Sequence, residues 1–531
     1  MKKLAAALVL GQVATPQSGA APATYRNPVL FADYSDPDVV RVGSDYYLVA
    51  SSFHFSPGIP ILHSRDLVHW RIIGHVLPDL PFAPQYDMPG PQTLTDATSK
   101  PIGGTRYAGG VWAPSIRHHQ GRFYVYWATP DEGVFMATAA RPEGPWTSPV
   151  KVINQPLLED PCPFWDDDGT AWLVHSRHGA GPLILHRMSA DGTRVLDAGT
   201  TIVEDKIKLP ILEGPKIYKR DGWYYIFAPF GGVEKGAQAA LRARDIRGPY
   251  ESRVVLAQGN SALQGPHQGG WVETPSGEGW FLHFNSTGAF GRITYLEPLR
   301  WVDGWPIIGN PIPGSTAGQP VVQHAMPDTG ARLSYQLQDS DDFSKPTLGP
   351  QWEWNHNPDP TAWSLTARPG FLRLNALPAQ HLVTARNTLT QILQGPESRV
   401  TARIDFSRMT EGQRAGLSLF GVRPSWIGVV RQAGATRVVL ANEGEETSGP
   451  IVTARSIDLR ALVKRDQRVA YSYSLDGRHF VRMGTPIPLA RFSWWKGSRP
   501  ALFTFTKSDT GGPVDWDRVV VETPSATEAH R

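Results

Sequence analysis

The sequence predicts an all-β protein, a five-bladed β-propeller followed by a β-sandwich, and three observations predict it. A glycine turn running into aromatic and apolar residues occurs five times at near-regular steps. A Pro/Gly-rich stretch then interrupts the chain, and beyond it apolar and polar residues alternate with a period of two. No run of helical periodicity is long enough to compete.

Taken from the N-terminus, Met1-Lys2-Lys3 is a short basic head, Leu4 to Leu10 is apolar, and small residues follow from Ala14 to Ala23. This reads as an export signal over residues 1–23, so the mature protein is expected to be exported, to the periplasm or beyond. The apolar run is too short to span a bilayer. Cys162 is the only cysteine, which excludes an intrachain disulfide. With 52 Lys and Arg against 49 Asp and Glu, the net charge of +3 suggests neither a nucleic-acid nor a membrane partner.

The repeats follow: Gly43 to Leu48, Gly121 to Val125, Asp168 to Leu173, Asp221 to Ile226 and Gly277 to Leu282. Their anchors Tyr47, Tyr124, Trp172, Tyr225 and Phe281 are separated by 77, 48, 53 and 56 residues. Such steps match one four-stranded blade each, giving a propeller over residues 25–310. The long first step contains an inserted loop, about Pro78 to Gly104. Ser64 to Trp70, Ala140 to Trp146 and Arg244 to Tyr250 are read as turns between the outer strands of their blades. Residues 311–332 form the linker, 333–524 the sandwich and 525–531 a loose tail. Sugar binding or pocket closure by the sandwich is open to Trp352, Trp354, Trp494 and Trp495, although packing on the propeller is the favoured role.

The chemistry lies just ahead of each repeat. Counting back from the anchors finds Asp36 (11 residues), Ala113 (11), Asp160 (12), Glu213 (12) and His267 (14). The first strand of every propeller blade lines the central axis. Residues at one phase of those strands therefore ring one mouth of it. Each motif alone is an ordinary turn, and a lone His267 would be a core histidine. Three acids at equivalent positions repel one another and add nothing to structure, which marks them as functional. Carboxylates facing one pit suit glycosidic cleavage. One protonates the leaving oxygen, another activates water, and a neighbouring charge keeps the acid protonated.

As an ordered set, Ser35-Asp36-Pro37-Asp38, Gly110 to Ser115, Glu159-Asp160-Pro161, Leu212 to Tyr218, Gly265 to Gly269 and Phe290 to Ile293 resemble glycoside hydrolase family 43 over essentially the whole mature chain. The resemblance implies an inverting mechanism with Asp36 as base, Asp160 as modulator and Glu213 as acid. It implies an enzyme releasing pentoses, as a β-xylosidase, an α-L-arabinofuranosidase or both, from fragments of xylan, arabinoxylan, xyloglucan or arabinan; exo-action is expected because a loop such as Pro78 to Gly104 would wall off one end of the pit. Trp112 and the Phe53-His54-Phe55 loop would wall the sugar site, Arg292 would hold a sugar hydroxyl, and His267 would stand near the axis. The sandwich would be of the concanavalin-like jelly-roll type. No cofactor is required. A calcium ion near the axis is compatible with the family, but no ligand set is readable and no metal ligand is assigned. Asp166-Asp167-Asp168-Gly169 lacks the alternation of a calcium loop and reads as a hairpin turn. Departures at Asp38 and Cys162, where the family often has small residues, remove no catalytic carboxylate.

Two alternatives stand beside this reading. A retaining fructan-type hydrolase has the same five blades, but its nucleophile and modulator motifs differ from Ser35 to Asp38 and from Glu159 to Pro161. A non-catalytic carbohydrate-binding protein would not need three acids. Oligomeric state and xylose-versus-arabinose preference are not readable.

Overall fold

The computed structural model describes residues 23–89, 105–331, 335–491 and 493–523. The segment expected to be an export signal, up to residue 22, the expected tail, and residues 90 to 104 of the expected inserted loop lie outside the described residues.

Each glycine–aromatic repeat forms the hairpin between the first and second strands of a blade. Gly43, Gly121, Gly169, Gly222 and Gly277 sit at φ between 62° and 89°, where a side chain is disfavoured. Tyr124, Trp172, Tyr225 and Phe281 then enter the second strands and are buried. Blade 1 comprises Asp38–Val42, Asp45–Val49, Gly58–Ser64 and Arg71–Leu77. Blade 2 comprises Trp112–His119, Arg122–Thr129, Gly133–Ala139 and Val150–Ile153. Blades 3 and 4 open on Leu158–Trp165 and Lys216–Arg220 and are built the same way. The turns at 65–70, 140–146 and 244–250 join third to fourth strands.

Blade 5 takes its fourth strand from the other end of the domain. His267–Glu273, Gly279–Ser286 and Arg292–Val302 are completed by Leu30–Asp33, which pairs with Arg292–Val302. This closes the ring and covers an edge that would otherwise be unpaired. It also delivers the chain from blade 5 straight into Asp36 at the head of blade 1.

The expected linker is strapped to the propeller at two points. Gly318 pairs in parallel with Leu256, and Gln323–Ala325 pairs with Thr24–Arg26.

The sandwich has two antiparallel-rich sheets. One runs through Pro513–Glu522, Ser398–Asp405 and Ser456–Val463; the other through Ser425–Gln432, Gln413–Phe420 and Arg499–Thr506. Val400, Leu459, Leu417, Ile427 and Trp516 fill the space between them, burying the apolar face of each alternating strand. The second sheet does not stop at the domain boundary. Its Glu353–Asn355 strand pairs with Phe55–Ser56 of the propeller, Trp354 opposite Ser56 and Asn355 opposite Phe55. The two domains therefore share a sheet.

Candidate active site

Each of the five inner strands has, within two residues of its start, a residue in the left-handed region: Asp36 (φ 55°), Ala113 (31°), Asp160 (58°), Gly214 (57°) and Gln268 (31°). Proline follows in four of them, as Pro37, Pro114, Pro161 and Pro215. At a non-glycine residue this conformation costs on the order of 1 kcal/mol or more and persists only where the surroundings impose it. The register slips at the same place, between Trp112 and Ser115, between Glu159 and Cys162, and between His267 and Gly269. A strand normally sends successive side chains to opposite faces. The slip abolishes that alternation locally, so Glu159 and Asp160 both line the same cavity. Aligned on the left-handed residue, Glu213 stands level with Trp112, Glu159 and His267, one residue ahead of the position held by Asp36 and Asp160.

The cavity, of about 250 Å³, brings Asp36, Asp160 and Glu213 together from blades 1, 3 and 4. Asp36 is 3% exposed. Ser51 Oγ donates to its Oδ2 at 2.5 Å and Arg292 Nη1 to its Oδ1 at 2.9 Å. Both carboxylate oxygens are thus fixed, one by the loop that follows the second strand of blade 1 and one by a strand of blade 5. Asp160 Oδ2 accepts the Gly214 N–H at 2.7 Å and Ser176 Oγ at 3.3 Å. Through Gly214, Asp160 grips the backbone next to Glu213. His267, fully buried, places Nε2 3.0 Å from Glu213 Oε1, outside hydrogen-bonding geometry.

Oxygens of Glu159, Asp160 and Glu213 all lie within 4.8 Å of one another. Burial, then the Glu213 charge, pushes the Asp160 carboxyl up to about 7. Burial, then the charges of Asp160 and Glu213, pushes Glu159 up to about 10. At both carboxyls burial and like-charge repulsion act in the same direction. Near neutral pH the trio holds at least one proton, while Asp36 stands apart from it beside an arginine. One side of the pit can donate a proton and the other can accept one.

The walls are aromatic and come from both domains. Phe53 and Trp112 line the cavity, edge to face at 6.1 Å, and Trp112 is anchored by its Nε1–H to the Ala108 carbonyl at 2.7 Å. Arg292 lines it as well, and His267 lies behind Glu213 instead of in the lining. His54 and Phe55 do not reach the pit. His54 is fully buried among Phe55, Tyr107, His356 and Trp494, at ring-centroid distances of 4.3 to 5.5 Å. Phe55 lies in the strand shared with the sandwich, 3.6 Å beneath the Arg499 guanidinium. The chain reverses at Phe53 (φ 52°), so one aromatic turns to the sugar site and the next two to the domain seam.

Sequence reasoning missed Glu159, Gln268 and Trp495 as lining residues. Glu159 was visible beside Asp160, but strand alternation argued against its facing the same way. Trp495 corrects the preference for packing over a role at the pocket. Trp352, Trp354 and Trp494 are buried, while Trp495 is 40% exposed and meets Trp112 edge to face at 6.1 Å inside the cavity.

A calcium ion would need six to eight oxygen ligands. Among the described residues the only acidic or imidazole group of three within reach of one ion is Glu159, Asp160 and Glu213, and His267 does not belong to it. That group gives a calcium ion beside His267 no side-chain ligand set of its own.

Comparison with known proteins agrees with this geometry. Residues 25–306 match Glycosyl hydrolases family 43, and residues 340–522 match the Beta xylosidase C-terminal Concanavalin A-like domain. A protein of Xylanibacter ruminicola bearing a beta-xylosidase name is 42% identical over 486 residues, 91% of this chain and 86% of its own. A non-reducing end alpha-L-arabinofuranosidase of Bacteroides ovatus is 30% identical over 74% of this chain and 73% of its own. A solved GH43 glycoside hydrolase, engineered to display both endo-xylanase and exo-arabinofuranosidase activity, superposes with a TM-score of 0.83 at 28% identity, covering 95% of this chain and all of that one. The chain, propeller and sandwich together, belongs to glycosyl hydrolase family 43.

Proposed function

We propose that the protein removes single pentose units, xylose or arabinose, from the ends and branches of xylan- or arabinan-type oligosaccharides with inversion of configuration. The observation that carries this is the single pit lined by Asp36, Asp160 and Glu213. Glu213 donates its proton to the glycosidic oxygen as the bond to the anomeric carbon breaks. Asp36 takes a proton from the water that attacks that carbon from the opposite face. Asp160 fixes the backbone beside Glu213 and adds negative charge. Arg292 and Ser51 orient the base. Phe53, Trp112 and Trp495 offer apolar faces to one sugar ring, and a cavity of about 250 Å³ suits a terminal unit better than a threaded chain. The names of relatives support both pentoses. Nothing in the lining favours the retaining, fructan-type alternative. Export, resting on the basic and apolar N-terminus, belongs to the same proposal and is read by N-terminal sequencing of the secreted protein.

The test is a panel of aryl β-xylosides and α-L-arabinofuranosides with wild type and Glu213→Gln, with NMR of the first product. The expected product is the inverted anomer, and Glu213→Gln should lose about 10²–10⁴-fold in kcat. Prompt appearance of the retained anomer, or an equally active Glu213→Gln, would refute the assignment.

A further inference from the structure

The segment that carries Asp36, between the strands Leu30–Asp33 and Asp38–Val42, is held by the sandwich as well as by the propeller. Ser493 to Lys496 form a hairpin of the sandwich, closed by backbone hydrogen bonds between Ser493 and Lys496 at 2.8 and 3.0 Å. Lys496 is 1% exposed, and its ammonium donates to the Asp33 carbonyl at 3.0 Å and to Ser35 Oγ at 3.1 Å. The Gly497 N–H donates to Asp33 Oδ2 at 2.8 Å, while Asp33 Oδ1 accepts the Arg292 N–H at 3.0 Å. One buried carboxylate therefore joins the sandwich hairpin to the arginine that grips Asp36.

A buried ammonium is unfavourable unless it is paired, and an apolar side chain would join the two domains without that penalty. Burial pulls the Lys496 amine below its ordinary range, and the carboxylates of Asp33, Glu353 and Asp36 oppose this. Arg499 also faces it, and Lys496 in turn bears on His54. Asp36 is faced by Arg292 and Ser51, and across the pit by Glu159, Asp160 and Glu213. Against three acids, a cation bound to the backbone segment just ahead of the base has an electrostatic use that packing alone does not supply.

We infer that Lys496 is a positioning residue for the reaction, a charge delivered by the sandwich that fixes the Asp33–Asp36 segment and favours the proton-accepting state of the base. The inference rests on Asp36 acting as base. Its test is the pH dependence of kcat/KM on an aryl pentoside for Lys496→Met, Lys496→Gln and Lys496→Arg. In the two neutral variants the acidic limb should move up by roughly 0.5–1 pH unit, and Lys496→Arg should return it towards wild type. Lys496→Gln retains an N–H donor for the Asp33 carbonyl, which keeps the test open if Lys496→Met does not fold. A folded neutral variant whose limb stays in place, with activity lowered by one factor at every pH, overturns the inference. Failure of both neutral variants to fold would likewise count against it, since it would make Lys496 a structural requirement. An active Asp36→Asn would instead sink the assignment of the base, so the two failures are distinguishable.

Discussion

Glu159→Gln should make the protein more stable, and more so as the pH rises. Glu159 is 4% exposed and shares its corner of the pit with Asp160 and Glu213, all three within 4.8 Å. In the unfolded chain its carboxyl ionises near its ordinary value of 4.5, whereas burial and its two acidic neighbours hold the proton on in the folded protein up to about 10. Between these values the folded state binds one proton more than the unfolded state. Stability therefore falls with rising pH across that window, by about 1.4 kcal/mol for each pH unit. At pH 7 the native protein carries a penalty of about 3 kcal/mol from this one group. Glutamine has the same shape, can accept the Ala180 N–H that Glu159 accepts at 3.3 Å, and has no proton to lose.

The assay is urea unfolding followed by tryptophan fluorescence, wild type against Glu159→Gln, at pH 5, 6, 7 and 8. The variant should match wild type near pH 5 and exceed it by about 1–3 kcal/mol at pH 7, with unchanged m-values. A difference that stays flat with pH would refute the reasoning, because it would mean the folded protein ionises Glu159 as the unfolded chain does. A less stable variant would refute it more directly.

Two further outcomes follow from the seam between the domains. Trp495→Ala removes the sandwich's wall of the pit and should lower kcat/KM about 10- to 100-fold, chiefly through KM, because the indole lines the pit and carries no group that could act as acid or base; an unchanged KM on aryl pentosides would contradict this. Glu353→Gln leaves the Arg499 guanidinium, 2% exposed and 2.6 Å from Glu353, buried without its partner, which should cost about 3–5 kcal/mol by urea unfolding at pH 7. Burial alone would raise the Glu353 carboxyl, but Arg499 and His75 overrule it and hold it near 2. The stabilisation it provides is thus complete above about 4.5 and lost as the pH falls towards 2, and the gap between Glu353→Gln and wild type should close over that range.

What was legible in the sequence is what short stretches of chain decide. A glycine at positive φ followed by an aromatic fixes a blade hairpin within six residues, and five copies count the blades. Asp-Pro at the head of an inner strand is equally local. The remainder depends on partners far away in the chain. Leu30–Asp33 closes blade 5 only because Arg292–Val302 offers an open edge, and His54 and Phe55 turn from the pit because Glu353–Asn355 extends their strand. Glu159 shows the finer limit: counting residues back from an aromatic cannot reveal a register slip that turns two adjacent side chains the same way.

Trp494 and Trp495 show that such limits can themselves be informative. A two-residue hairpin loop with both residues at positive φ (here 55° and 69°) normally calls for Asn-Gly, and two tryptophans are among the worst choices for it. Local preference therefore argues against the turn that forms. It forms because each indole is held elsewhere, Trp494 stacked on Tyr107 at 4.0 Å in the seam and Trp495 against Trp112 in the pit. Conflict between a residue and its backbone is expected where function outweighs stability. The same conflict recurs at Asp36, Phe53 and Asp160, all non-glycine residues at positive φ and all lining the one cavity. Strain and site coincide because a pit assembled from five strand heads and a hairpin of a second domain must aim its side chains where regular strands would not point them.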